Sequence, residues 1–162
     1  MDAEKQLIDS GIRAWKLNAD RVEKFFTPLS DDQLQQEIAP GRNRLIYLWG
    51  HLAAVSDGLF PLLGIGPKLR PELDAMYLSI PDRAAASELS RAELKDAWLQ
   101  IHDALWREFS AWTPADWLAK HTAVSDDDFA REPHRNRFSV MLNRSAHMAF
   151  HHGQAVLAQP RS

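Results

Sequence analysis

The sequence predicts an all-α chain folded as a four-helix bundle, and three observations carry that expectation. Apolar residues recur at steps of three and four over four long stretches. No stretch of useful length alternates as a strand would. The breaks between the apolar stretches carry glycine, proline and helix-capping residues. With 162 residues and no internal repeat, one domain over 1–162 is expected, long enough to bury a substantial core.

The first helix carries Ile8, Ile12, Trp15, Ala19, Val22, Phe26 and Leu29, spaced alternately by four and three. "TPLSDDQLQQ" breaks it, and Ser30 with Asp31 and Asp32 suits the cap of a short second piece. "APGRNR" then predicts a turn. The second long helix runs from Asn43 to Leu63 on Leu45, Leu48, Leu52, Val55, Leu59 and Leu62, and "GIGPKLRP" ends it. The third begins at Ser90, where "SRAE" sets Glu93 at the capping-box position, and its stripe is Leu94, Trp98, Ile101, Leu105, Phe109 and Trp112. The fourth runs from Asn136 to Gln159 and stops at Pro160. On its wheel His147, His151, Gln154, Asn143 and Arg144 share one face, and Phe138, Leu142, Ala149 and Val156 the opposite one.

Connection lengths suggest the topology. Gly64 to Leu89 is far longer than antiparallel neighbours need. A helix of about 20 residues is roughly 30 Å long, and extended chain covers about 3.3 Å per residue. This crossover therefore reaches back along the whole bundle, giving an up-down-down-up order. "PELDAMYL" within it suits a short helix over one bundle end. The segment Thr113–Arg135, with "SDDD", Pro114 and Pro133, is a second long connection of the kind that covers sites.

Composition narrows the chemistry. A net charge of −3 provides no basic field for nucleic acid. No run of 18 uninterrupted apolar residues suggests a membrane span. The opening "MDAEKQLIDS" lacks the order of a secretory signal, so a cytoplasmic location is expected. Cysteine is absent, which excludes disulfides, thiolate metal clusters and a cysteine nucleophile from this chain. Six tryptophans are expected as core filler.

The histidines are the main chemical signal. His147 and His151 stand one helical turn apart, a separation that one metal ion can bridge, with Gln154 on the same face. The same spacing also suits an ordinary solvated stripe. Two imidazoles alone make a poor site, so a third ligand must come from elsewhere. His51, mid-helix in "LIYLWGHLAAV", is the candidate, although a lone histidine there also suits a satisfied buried side chain. Met148 follows the first histidine where a zinc peptidase helix would need Glu. His152 points about 100° away from His151. His102 is expected to be partly buried, and His121 and His134 to lie on the surface. Asp57 lies well round the helix from His51, so no general base is identified.

These residues resemble the DinB-like (DinB/YfiT) family of helical-bundle proteins. "LWGHL" with His51 and "HMAFHHGQ" with His147, His151, Gly153 and Gln154 carry the resemblance, and "GRNRLIYLWGHLAAVSDGLFPLLGIG" extends it over most of the chain. His152 stands where relatives often have Arg. The resemblance implies an up-down-down-up bundle, a divalent metal, commonly zinc or nickel, on His51, His147 and His151, and a homodimer. It also implies kinship with thiol-dependent S-transferases acting on small molecules. A low-molecular-weight thiol would then be cosubstrate, since this chain supplies none. Gln154 and Tyr47, one turn before His51, are candidates to orient a ligand. Two alternatives stand beside this reading: a metal-hydroxide hydrolase of small amides or esters, and a non-enzymatic stress-related metal-binding module.

Overall fold

The computed structural model describes residues 2–158 and is helical, with no β-strand among the described residues. Four longer helices, α1 (Ala3–Phe26), α3 (Leu45–Asp57), α6 (Arg91–Ala111) and α9 (Arg137–Ala158), form its body. Five short ones fill the connections: α2 (Asp31–Leu34), α4 (Leu59–Leu62), α5 (Leu73–Tyr77), α7 (Pro114–Leu118) and α8 (Asp126–Arg131). Helix α1 packs on α6 and α9, while α3 packs on α5, α6 and α9.

Capping follows local chemistry. The Asp2 side chain accepts from the Glu4 amide at the start of α1. Ser30 with Gln33, Ser90 with Glu93 and Thr113 with Asp116 form reciprocal capping boxes for α2, α6 and α7. The expected stripe of α1 is buried, as are Leu94, Trp98, Ile101, Leu105 and Phe109 of α6. Trp15, Trp49, Trp98 and Trp117 are fully enclosed. His102 goes deeper than its sequence position suggested: it is 6% exposed and stacks on Trp98 at 3.7 Å between centroids.

Several expectations are corrected. The second long helix is interrupted at Gly58, separating α3 from α4. Its surroundings are apolar on nearly every side, and the window Leu45–Leu62, apolar enough to cross a membrane, is 72% buried within the protein. That is the composition of a central core helix. The connection Thr113–Arg135 is not plain loop, since it holds α7 and α8, whose Thr-Pro and Ser-Asp starts are legible capping signals. On α9 the buried positions are Met141, Ser145, Met148 and Ala155. Leu142 and Val156, each 42% exposed, and Ala149 face outward instead. The histidine face is turned toward α3, the flank with Ser145 meets α1, and of the apolar group only Phe138 packs against the core. Gln159 and Pro160, the expected end of this helix, lie outside the described residues.

The crossover after α4 is fixed to both ends of α3. At the C-terminal end, Asp57 is fully buried and its carboxylate accepts from the amides of Leu69 (2.9 Å) and Arg70 (3.0 Å). At the N-terminal end, Arg44 donates through its backbone amide (2.7 Å) and guanidinium (2.6 Å) to Asp82, and it also pairs with Glu88 and Gln35. The connection therefore travels back along α3 before α6 begins. Between the clamps "PELDAMYL" does form a short helix, α5, but it lies against the middle of α3 at Gly50 and His51 and not over a bundle end.

Burial opposes ionisation of Asp82, but the Arg44 side-chain and backbone bonds outweigh it and hold the carboxyl below its usual range. A depressed carboxylate stabilises the fold fully above its unfolded pKa of about 4. That contribution disappears as pH falls through the folded value. Asp82→Asn is expected to cost about 3 kcal/mol near neutral pH by leaving Arg44 under-paired. In urea denaturation, the difference from wild type should shrink as the buffer is taken below about pH 4.

Candidate metal centre

Gly50 sits beside His51 and decides what packs there. A Cβ at Gly50 would lie 2.5 Å from the Tyr77 ring, so only glycine lets that ring rest on α3. The close approach brings the Tyr77 carbonyl to 3.1 Å from His51 Nδ1. Tyr77 is held in turn through its hydroxyl, which accepts from the Leu89 amide at 3.0 Å. A carbonyl only accepts, so His51 Nδ1 carries the proton and its Nε2 presents a lone pair.

The same logic applies on α9. His151 Nδ1 lies 2.8 Å from Gln154 Oε1, so this ring too protonates at Nδ1 and points a bare Nε2 away. His147 Nε2 is 3.0 Å from His151 Nε2 and 3.4 Å from His51 Nε2. One ligand atom from each ring falls within 4.8 Å of the others. His147 Nδ1 is buried with no partner.

Counting protons tests whether these residues fit a metal ion. If the His147 proton is on Nε2, it serves one neighbour and leaves the other lone pair facing nothing. If it is on Nδ1, a buried N–H is orphaned and three lone pairs confront one another. Neutral rings alone satisfy neither case. A cation among the three Nε2 atoms resolves their repulsion. Nitrogens 2.0–2.1 Å from a tetrahedral ion stand roughly 3.3 Å apart, close to the 3.0 and 3.4 Å here. The residues fit a divalent metal.

Electrostatics point the same way. Burial pushes His147 down to about 4, helped by His151, His51 and Arg144. Burial also lowers His51, against the opposing bond to Tyr77. Both rings are therefore neutral near pH 7, with lone pairs available. No acidic group acts on either.

The other sequence candidates fall into place around this cluster. The Tyr47 ring stacks beside His51, 6.4 Å between centroids, but its hydroxyl donates to the Ile80 carbonyl at 2.6 Å. It braces the crossover and is 8% exposed. Gln154 touches His151 directly, so it orients a ring. His152 lies off the cluster with its edge on Phe25. Asp57 is committed to the crossover amides. A cleft of about 550 Å³, lined in part by Arg42, Asn43, His151 and Gln154, opens beside the cluster.

Sequence reasoning missed the Tyr77 carbonyl, which carries no side-chain signal and lies 26 positions after His51. It also left Gly50 unexplained, although a glycine inside an apolar helix signals close approach. The DinB superfamily sequence model matches residues 14–155, so the chain belongs to that superfamily. No curated protein matches it.

Gly50→Ala is expected to destabilise the fold by about 1–3 kcal/mol through overpacking against Tyr77. It should also release His51 from the Tyr77 carbonyl. Denaturation curves measure the first effect. The Nδ1–H resonance of His51 reports the second: it should lose its hydrogen-bonded shift while His151 keeps its own.

Proposed function

We propose that this member of the DinB superfamily is a metal-dependent transferase that conjugates an exogenous low-molecular-weight thiol to a small electrophile. The observation that carries the reading is the convergence of His51, His147 and His151 through Nε2 atoms with two of the three rings locked in the ligating tautomer. Zinc or nickel is the proposed ion, because neutral imidazole suits both. Bound there, a divalent ion would lower the proton affinity of a thiol or water brought to it.

The chain's own residues supply the rest. The Tyr77 carbonyl and the Gln154 amide fix the rings of His51 and His151 from behind, an arrangement that raises ligand basicity and sets orientation. Three protein ligands leave a coordination position for substrate, as catalytic sites do and closed structural sites do not. The neighbouring cleft gives a small molecule access to His151. The chain has no cysteine, so the sulfur must enter as cosubstrate.

The wider reading is an up-down-down-up four-helix bundle acting in the cytoplasm as a homodimer. The return of the crossover along α3 supports the first part. For the dimer, support comes from Phe150 (63% exposed) and Leu157 (81% exposed), seven residues apart on α9.

Two measurements test this function. Purified chain equilibrated with zinc or nickel should retain one divalent ion per chain by elemental analysis. His51→Ala or His147→Ala should each weaken retention by tenfold or more, about 1.4 kcal/mol. Because protons compete for the nitrogens, retention should hold near neutral pH and vanish as the buffer approaches the His147 value of about 4. Metal-loaded protein should also consume a small thiol in the presence of an electrophile. Unchanged thiol across a broad electrophile panel, or ester and amide turnover indifferent to thiol, would replace the transferase with a hydrolase or a binding module.

A further inference from the structure

A second cleft, of about 250 Å³, lies along the N-terminal half of α9, one helical turn before His147. Its wall carries Arg144, Arg135, His121, His134, Asn136 and Asn143, and no carboxylate lines it. Three of these polar groups are already engaged, among them His121, whose Nδ1 accepts from the Ala123 amide. Arg135 pairs with Glu132 at 3.1 Å. Asn136 caps α9 by accepting from the Ser139 amide and donates to the Pro133 carbonyl.

Arg144, the second arginine of this wall, is not engaged. It is half-buried, its Nε is shielded from solvent with no partner, and it forms no hydrogen bond or ion pair with any described residue. A guanidinium stays charged at any accessible pH. An N–H shielded from water with no partner costs free energy that a fully solvated position would avoid. Arginine's planar fork matches a carboxylate or phosphate with two parallel hydrogen bonds.

We infer that this cleft binds the oxyanion end of a small ligand, with Arg144 as its anchor and the three-histidine cluster one turn away facing the ligand's reactive end. The substrate class is then a small carboxylate- or phosphate-bearing molecule. Placing the reactive end at the cluster rests on the proposed metal-centre reading; oxyanion binding by Arg144 does not.

The experiment uses full-length, chelator-treated protein, so its outcome does not depend on whether the histidines hold metal. Inorganic phosphate and succinate are titrated separately at low ionic strength, followed by the NMR shifts of the Arg144 side chain and the Asn143 amide. Saturable one-to-one binding is expected. Arg144→Gln should weaken it by about tenfold or more, the loss of charge-assisted hydrogen bonds. Arg144→Lys keeps the charge without the fork and should fall between. Arg135→Gln should change affinity less, because Arg135 already has Glu132. A preference for phosphate over succinate, or the reverse, identifies which oxyanion the cleft takes. In anion-free buffer Arg144→Gln should melt no lower than wild type, since an unpaired cation has been removed. The proposal is overturned if neither ion saturates, if Arg144→Gln binds like wild type, or if both Arg144 variants lose stability without losing affinity.

Discussion

The crossover between α4 and α6 must lie against α3 for the histidine cluster to exist. Its two clamps are ionic and buried. Asp57 spends its carboxylate on two backbone amides, and Arg44 answers Asp82, Glu88 and Gln35. Moving such groups out of water is costly, and their mutual attraction repays it only when geometry and hydrogen bonding are complete. Here they are nearly so: the backbone amide of Arg44 joins its own side chain on Asp82. What the clamps achieve is position. They fix the piece of backbone whose Tyr77 carbonyl meets His51.

From that carbonyl the order passes outward without a break. Gly50 allows the Tyr77 ring to touch α3, the ring brings its carbonyl to His51, and the carbonyl selects the tautomer that exposes Nε2. Helix α9 achieves the same result locally, with Gln154 one turn past His151. One ligand is thus oriented by tertiary structure and another by helical spacing. The Asn18 side chain, donating to Ser145 Oγ at 2.9 Å, sets α9 against α1 so that the two halves meet.

How much of this was legible depends on the range of each interaction. The helices of α1 and α6 were readable because a 3.6-residue period and capping boxes are local signals. His147, His151 and Gln154 were readable for the same reason. His51 required a guess that two helices face each other, and its geometry relative to α9 follows from packing. The orientation of α9 was not legible, because polarity alone does not say which face of a helix carrying ligand-type side chains turns inward. The histidines are polar yet turned inward, and Leu142 and Val156 on the opposite face are exposed. Tyr77 and Arg44 were invisible as site determinants, since a backbone carbonyl and a crossover clamp leave no periodic trace. The arginine at position 144 was placed on the correct face, but its lack of a partner is a property of three-dimensional packing alone.

The charge balance around the cluster constrains what it would select. Carboxylate ligands would offset part of a divalent ion's charge, whereas three neutral imidazoles leave it intact. No acidic group acts on His51 or His147, and Arg144 adds a further positive charge to both. A metal-loaded cluster would therefore sit in a region of surplus positive potential, partly shielded from solvent screening. A neutral ligand would gain little from that field. An anionic one would be drawn in and, once bound, would offset both the unpaired guanidinium and the ion's residual charge. The same field would lower the proton affinity of a thiol brought to it, so under the proposed function recognition of an anion and activation of a nucleophile would arise from one arrangement of charge.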